Sequence, residues 1–365
     1  MKNKIIIFMP TIGVGGVEKN FFLISNYLSK KYDKLSVISL SYKKKYKLNK
    51  KIDFIGPKSI IFEKYSRRIK FLISLIYLIK QIIINENTIV LCFQANMYCV
   101  FICRLLGAKV ILRSNSSPEG WSKNILKVKL YKLGFKLADG IIVNSKNFKR
   151  QLKKKFNVNS KCIYNPLNKK DIIKMSKKKI KFNFFDKKSL NIINVARFED
   201  QKDHLTLLKA VNKLKSKIYF KLVLIGNGSK EKSIKNYIKH NNLGRSVKIL
   251  KNVINPFPYI IKSDLLILTS IYEGLPNILL ESIVLDKFII SSDCPTGPAE
   301  ILSYGKGGFL FKVGNYRDLY NKISIFRNNR KKLINKISYA KRTLDRFDYD
   351  FNLQEYKKYI EKFII

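Results

Sequence analysis

Short apolar runs alternate with amphipathic stretches along most of this chain. Residues 5–9, 35–39, 89–93, 109–112 and 141–143 are brief runs rich in Ile, Val and Leu, the pattern of strands buried on both faces. Between them, Val17, Phe21, Ile24 and Leu28 recur at helical spacing, and further helices are predicted over 68–84, 97–106 and 124–137. Residues 169–188 are polar and lysine-dense, without strand periodicity, and read as an interdomain stretch. The alternation then resumes. Strands are predicted at 190–195, 220–225, 247–250, 265–269 and 288–291. Helices are predicted on the Leu207, Leu208, Val211, Leu214 face, at 231–240 and at 277–285. The tail places Leu353, Tyr356, Ile360 and Phe363 on one helical face. The fold class expected is α/β, with two similar doubly wound Rossmann-like lobes facing a cleft and a last helix closing back on the first lobe. The expected division is 1–168, an interdomain stretch at 169–188, 189–348, and a closing helix at 349–365.

A chain of 365 residues is long for one domain, and 46% hydrophobic residues suffice for ordinary cores. With 17 Gly and 9 Pro the sequence is not that of a disordered protein. Its charge is unusual: 73 Lys and Arg oppose 25 Asp and Glu, a net +48. Heavy use of Ile, Asn, Lys, Phe and Tyr together points to compositional drift, yet the deficit of acids also favours a polyanionic partner, nucleic acid or an anionic membrane. Beside such a membrane each cation contributes on the order of 1 kcal/mol. A uniformly solvated basic surface explains the same count. Five cysteines without a C-x-x-C pair suit reduced thiols and a cytosolic setting, and two histidines, His204 and His240, exclude a histidine-rich metal site. The apolar run at 5–9 is too short for a signal-peptide core, and 71–84 is too short and polar to span a bilayer.

Four segments carry candidate chemistry. The turn from Thr11 to Glu18 follows the first strand and opens a helix, where glycines allow close ligand approach and the helix start favours anions. A dinucleotide fingerprint needs glycine where Glu18 stands and an acid at the end of the second strand, so an NAD site is disfavoured. Plain structural punctuation is the alternative reading of this turn. Arg197 ends a predicted strand and Lys202 opens the next helix. Five residues apart, a planar fork and a point charge could reach one diphosphate. His204 is expected to cap or pack rather than catalyse. Gly226 and Gly228 form a backbone turn after the next strand, with Ser229 as a helix cap.

The sharpest segment runs from Glu273 to Glu281. A strand leads into Gly274-Leu275-Pro276-Asn277, with Pro276 suited to the first helical position and the turn's N–H groups available to phosphate oxygens. Glu281 lies at a depth suited to the vicinal hydroxyls of a ribose, and Glu273 is placed to meet a sugar. A surface glutamate plus a helix-terminal charge is the plainer alternative.

These residues together resemble the retaining glycosyltransferases of family 4, which have the GT-B fold. The resemblance rests on Gly15–Glu18, Val195-Ala196-Arg197 with Lys202-Asp203, Gly226–Gly228, and the two glutamates Glu273 and Glu281. The segment 293–302 is similar to a sub-group that elongates lipid-linked oligosaccharides with N-acetylhexosamines or hexoses. The resemblance implies transfer from a nucleotide sugar, expected to be a UDP-sugar, with retention and without a metal or other cofactor. Arg197 and Lys202 would neutralise the leaving diphosphate. Glu281 would bind the donor ribose, Glu273 would orient the sugar, and Gly15 and Gly16 would approach the diphosphate from the other lobe. Many members carry a histidine near the fifth strand; here that strand ends Leu112-Arg113-Ser114-Asn115-Ser116. Arg113, Asn115 and Glu18 are therefore the candidates for acceptor or sugar contact, and no first-lobe nucleophile is assigned.

The partners implied are a nucleotide sugar, an undecaprenyl-diphosphate-linked glycan and an anionic membrane. Residues 64–73, which mix cations with aliphatics and aromatics, form a candidate interfacial helix, as does lysine-rich 42–51. A core-packed helix with a basic end fits 64–73 as well. The location expected is cytoplasmic, peripheral to the inner face of the plasma membrane. Two rivals remain: another GT-B enzyme such as a sugar-nucleotide epimerase, and a basic nucleic-acid-binding protein. No nucleic-acid-binding motif supports the latter, and no nucleic-acid partner is expected.

Overall fold

A computed structural model describes residues 3–13, 15–115, 118–121 and 124–364, with Glu119 described by its backbone alone. Val14 and Ser116 of the motifs above lie outside the described residues. The chain divides into two compact units, 1–166 with 349–365, and 167–348.

The first unit runs β1 (Lys4–Phe8), α1 (Gly16–Leu28), β2 (Leu35–Ile38), β3 (Asp53–Ile55), α2 (Arg67–Ile84), β4 (Thr88–Cys92), α3 (Asn96–Leu105), β5 (Lys109–Ser114), α4 (Ile125–Leu137), β6 (Gly140–Val143), α5 (Lys146–Phe156) and β7 (Lys161–Cys162). Its parallel sheet has the order β3-β2-β1-β4-β5-β6-β7. Burial on both faces explains the continuous apolar strands. Phe21, Ile24 and Leu28 of α1 cover one face, and α2 to α5 cover the other through Leu75, Leu78, Val100, Phe135 and Phe148.

The second unit runs α6 (Lys169–Ser176), β8 (Leu190–Val195), α7 (His204–Leu214), β9 (Phe220–Ile225), α8 (Glu231–His240), β10 (Val247–Leu250), α9 (Phe257–Lys262), β11 (Leu265–Leu268), α10 (Asn277–Val284), β12 (Phe288–Ser292), α11 (Pro298–Ile301), β13 (Phe309–Phe311), α12 (Tyr316–Asn328) and α13 (Ile334–Arg342). Its sheet is also parallel, in the order β10-β9-β8-β11-β12-β13. The final helix α14 (Tyr349–Glu361) returns to the first unit, where Leu353, Tyr356 and Ile360 join the α1 face of the core. The two Rossmann-like sheets and the returning helix are the architecture expected from the pattern.

Several elements differ from expectation. Residues 169–188 fall in the second unit and begin with a helix, α6, capped by the Asn168 side chain. No element is expected from the pattern between 302 and the tail, yet β13, α12 and α13 form there. In α12, the buried Leu319, Ile323 and Phe326 supply a narrow apolar stripe within an otherwise largely polar helix. Among the described residues, no helix is long and apolar enough to cross a membrane. Cys92, Cys99, Cys103 and Cys294 are buried, and burial pushes the Cys99 thiol up.

Candidate active site

In a doubly wound sheet, ligands bind where neighbouring strands send their connections to opposite sides, at the carboxyl ends of those strands. In the second unit this switch point lies between β8 and β11, with β9 on the other side of β8. The loop after β8 carries Arg197 and Lys202, and the loop after β11 carries Glu273. The fold thus brings two candidate segments, 71 residues apart, to one crevice.

The Lys202 ammonium forms a short ion pair with Glu273 Oε1, and their side chains retain only 14% and 9% of their exposure. Ser270 Oγ donates to the same carboxylate oxygen at 2.6 Å. The backbone on both sides is fixed. Thr269 Oγ1 donates to Lys202 O at 2.8 Å, Ile271 N donates to Gln201 O at 2.8 Å, and Gln201 Nε2 donates to Tyr272 O at 2.8 Å. From β12, Ser292 Oγ donates to Ser270 O at 2.6 Å, and Thr296 Oγ1 bonds Glu273 O. A largely desolvated carboxylate with a cation and a hydroxyl on one oxygen is held in one orientation.

The turn after Glu273 is held from α11. A Cβ on Gly297, whose φ is +88°, would stand 2.4 Å from Gly274 O and 2.7 Å from Pro276 Cδ. Glycine is needed there both for the left-handed backbone and for the approach of the two turns. Pro276 proves to be the N-cap of α10, not its first helical residue, and Asn277 begins the helix without a side-chain cap. Leu275 and Glu281 are buried, the latter on the body of α10.

Lys202 differs from expectation in one respect. It closes a short 3₁₀ turn at Asp200–Lys202, and α7 starts only at His204. Asp203, at φ 43°, supplies the cap: its side chain accepts Thr206 N at 3.2 Å and Thr206 Oγ1 at 2.6 Å. His204 packs as expected, edge-on to Phe198 at 5.0 Å. Burial, aided by the Lys202 charge, lowers its pKa to about 4. Arg197 is exposed; its backbone carbonyl accepts Glu199 N at 2.9 Å, while its guanidinium makes no hydrogen bond or salt bridge among the described residues. Its charge helps hold Glu199 below the usual carboxylate range, after the Ser229 hydrogen bonds that dominate. The structure thus joins Lys202 to Glu273 and leaves Arg197 at the rim.

Gly226 and Gly228 have a packing reason. A Cβ at Gly226 would lie 1.9 Å from Ala196 O, and one at Gly228 would lie 2.3 Å from Phe198 O. Their absence lets the β9 turn lie against the Arg197 loop, with Phe198 N donating to Asn227 O at 2.8 Å. Ser229, expected as a helix cap, instead bonds Glu199 through its N–H at 3.2 Å and its hydroxyl at 2.8 Å.

In the first unit the switch point lies between β1 and β4. Gln94 Oε1 accepts Thr11 N at 3.2 Å and Thr11 Oγ1 at 2.8 Å. Ala95 stands at φ 57°, a conformation costing a non-glycine residue on the order of 1 kcal/mol. Gly15 is the N-cap of α1 and Gly16 its first residue. The Glu18 carboxylate folds over this turn: Cβ atoms on Gly13 and Gly15 would meet its oxygens at 3.3 and 2.9 Å. Arg113, a candidate for sugar contact, is 1% exposed. Its Nε donates to Tyr356 Oη at 2.8 Å, its Nη2 to Asn165 Oδ1 at 2.9 Å, and it stacks over Phe93 at 5.0 Å. It secures α14 to the sheet rather than presenting itself to solvent. Asn115 is half-buried and donates to Phe93 O at 3.3 Å.

Sequence reasoning missed Ser270, Ser292, Thr296, Gln94 and Ala95. Hydroxyls at a strand's carboxyl end are the only signal that could have flagged the first two.

Known proteins resemble this chain in sequence and in fold. Residues 14–170 match the model described as Glycosyltransferase Family 4, and residues 175–343 match that of Glycosyl transferases group 1. Between them the two models account for most of the chain, which belongs to these glycosyltransferases and has the GT-B fold. An N-acetylgalactosamine-N,N'-diacetylbacillosaminyl-diphospho-undecaprenol 4-alpha-N-acetylgalactosaminyltransferase of Campylobacter jejuni is 26% identical over 87% of this chain and 88% of its own. An uncharacterized glycosyltransferase of Methanocaldococcus jannaschii is 29% identical over 54% of this chain, which spans about half (53%) of that protein. The crystal structure of Anabaena HepE in complex with UDP-glucose superposes with a TM-score of 0.76 over 98% of this chain and 99% of its own, at 16% identity.

Proposed function

We propose that this glycosyltransferase moves a hexose or N-acetylhexosamine from a UDP-sugar to a lipid-linked glycan, expected to be undecaprenyl-diphosphate-linked, with retention at the anomeric carbon. The reaction is read as needing no metal or other cofactor, and as taking place at the cytoplasmic face of the membrane. The observation that carries the reading is the Lys202–Glu273 pair at the β8/β11 switch point, beside the Gly274–Asn277 turn that starts α10. The Campylobacter relative, which acts on a diphospho-undecaprenol glycan, supports the acceptor class.

In this reading the donor diphosphate lies against Lys202 and the start of α10, where an ammonium and a helix N-terminus favour phosphate oxygens. As the sugar–phosphate bond breaks, charge grows on the leaving diphosphate. Lys202, already desolvated and fixed, stabilises that charge without reorganising. Arg197, at the rim, closes on the same phosphates once they arrive. Glu273, held through Oε1 by Lys202 and Ser270, offers its other carboxylate oxygen to the sugar hydroxyls, and Glu281 takes the ribose. Gly226 and Gly228 hold the Arg197 loop in place.

The test is transfer itself. Purified protein is given a panel of UDP-sugars and an undecaprenyl-diphosphate-linked acceptor, with EDTA in excess. The reading expects one donor to label the lipid fraction, in a linkage whose anomeric configuration matches the donor's. Release of an epimerised nucleotide sugar without acceptor, or labelling that requires an added divalent cation, would contradict it.

A further inference from the structure

The α2–α5 side of the first unit has an outer surface that its own fold does not explain. α2, α3, α4 and α5 cover one face of the seven-stranded sheet: Leu75 and Leu78, Val100, Phe135, and Phe148 all enter the same core cluster. α3 packs between α2 and α4, and Phe135 of α4 meets Phe156 of α5 at 5.9 Å. A helix covering a sheet buries one stripe and turns polar residues outward. Here the outward stripes are apolar.

On α2 the exposed Ile69, Leu72, Ile76 and Ile83 recur at three-, four- and seven-residue steps, so they share one stripe. That stripe lies away from the buried Leu75, Leu78 and Ile82. On α4 the exposed Leu126, Leu130 and Leu133 form a second stripe, with Leu126 at 75% exposure, while only Gly134 and Phe135 are buried. Tyr98 and Leu105 of α3, between them, are exposed as well. Contiguous apolar ridges of this extent on a soluble surface mark an interaction site.

The cations identify the partner. These helices carry four Lys and Arg on α2, one on α3, four on α4 and six on α5, and no Asp or Glu. Aliphatic ridges interleaved with lysines, and free of carboxylates, match a layer with anionic head groups above a hydrocarbon interior. A nucleic acid would use the cations but leave the leucines and isoleucines in water, since stacking on bases calls for aromatic rings.

We infer that the outer faces of α2, α3 and α4, flanked by the cationic α5, dock this protein on an anionic lipid bilayer. The face is broader than residues 64–73, and α4 contributes as much of it as α2. The assignment rests on the proposal of a membrane-borne acceptor, which explains why such a face would be kept.

The test is co-sedimentation of the full chain with vesicles of phosphatidylcholine alone or mixed with phosphatidylglycerol, at low and high salt. Three proteins are compared: the native chain, L126S/L130S/L133S and K129E/K132E/K136E. All substituted positions are exposed, so equal unfolding temperatures verify the fold. The native chain is expected to bind the anionic vesicles, more weakly at high salt, with both variants reduced at least tenfold. UDP-induced thermal stabilisation, measured in solution, is expected to be the same for all three. Loss of UDP binding in the native chain with vesicle binding intact would defeat the donor reading and leave the docking face standing. Equal vesicle binding by the native chain and both variants would overturn the docking face. So would equal binding to neutral vesicles, or a native dimer in solution that L126S/L130S/L133S dissolves.

Discussion

Lys202 and Glu273 come from loops on adjacent strands, and their ion pair is almost fully withdrawn from water. Ser270 shares the same carboxylate oxygen at 2.6 Å. Such a pair contributes little net stability, because desolvation offsets its attraction. Its value is placement: the charge that would meet a diphosphate is set before any ligand arrives.

Removing one member strands the other. Lys202→Met is expected to lower unfolding free energy by about 3–5 kcal/mol, because Glu273 stays buried without its cation. The double variant K202M/E273Q should recover much of that loss. Urea unfolding of both, compared with the native chain, checks this; equal losses in the single and double variants would contradict it.

The glycine contacts set an order of tolerance. Gly297→Ala forces a Cβ against Gly274 O from a left-handed backbone, and Gly226→Ala forces one against Ala196 O. Each should cost on the order of 1–3 kcal/mol or more and disturb the loops that carry the candidate site. Gly244→Ala meets nothing within 4 Å, has no positive φ, and should be neutral or stabilising by about 0.4–1 kcal/mol. Thermal denaturation ranks the three.

His204 gives stability a pH dependence whose sign is fixed by burial. Its folded pKa of about 4 lies below the ordinary value of 6.5, so between these the unfolded chain binds a proton that the folded chain refuses. Stability therefore falls as pH drops from about 6.5 to about 4, by roughly 3 kcal/mol in all from this group. His204→Leu should flatten that part of the profile. An unchanged slope would show that other groups dominate.

Arg113 is a buried cation whose Nε and Nη2 are held by neutral partners, Tyr356 and Asn165. Tyr356→Phe removes the acceptor of its Nε and should cost about 1–3 kcal/mol, loosening α14 without touching the second unit. Hydrogen exchange should quicken in α14 and β5 and stay unchanged around Lys202. Acceleration spread evenly over both units would contradict this.

Most of the strands were readable because parallel strands buried on both faces leave continuous apolar runs. The exceptions have physical reasons. β3 and β7 are edge strands of three and two residues, too short to show a period. In α5, six cations hide a stripe made only of Phe148, Leu152 and Phe156. Glu273 and Glu281 stood out because acids are scarce in this chain. Ser270 and Thr296 did not, since their roles depend on β11 lying beside β12, which local pattern does not report. The burial of Arg113 was not legible because buried arginines are rare and its partner Tyr356 lies 243 residues away.

The central claim is that the second unit holds a nucleoside diphosphate against Lys202. Calorimetric titration of UDP into the native chain and into Lys202→Ala, with circular dichroism verifying that both are folded, tests it most directly. The account predicts saturable binding by the native chain and at least a tenfold weaker affinity in the variant. Equal affinity in the two folded proteins, or no UDP binding by the native chain, would contradict it.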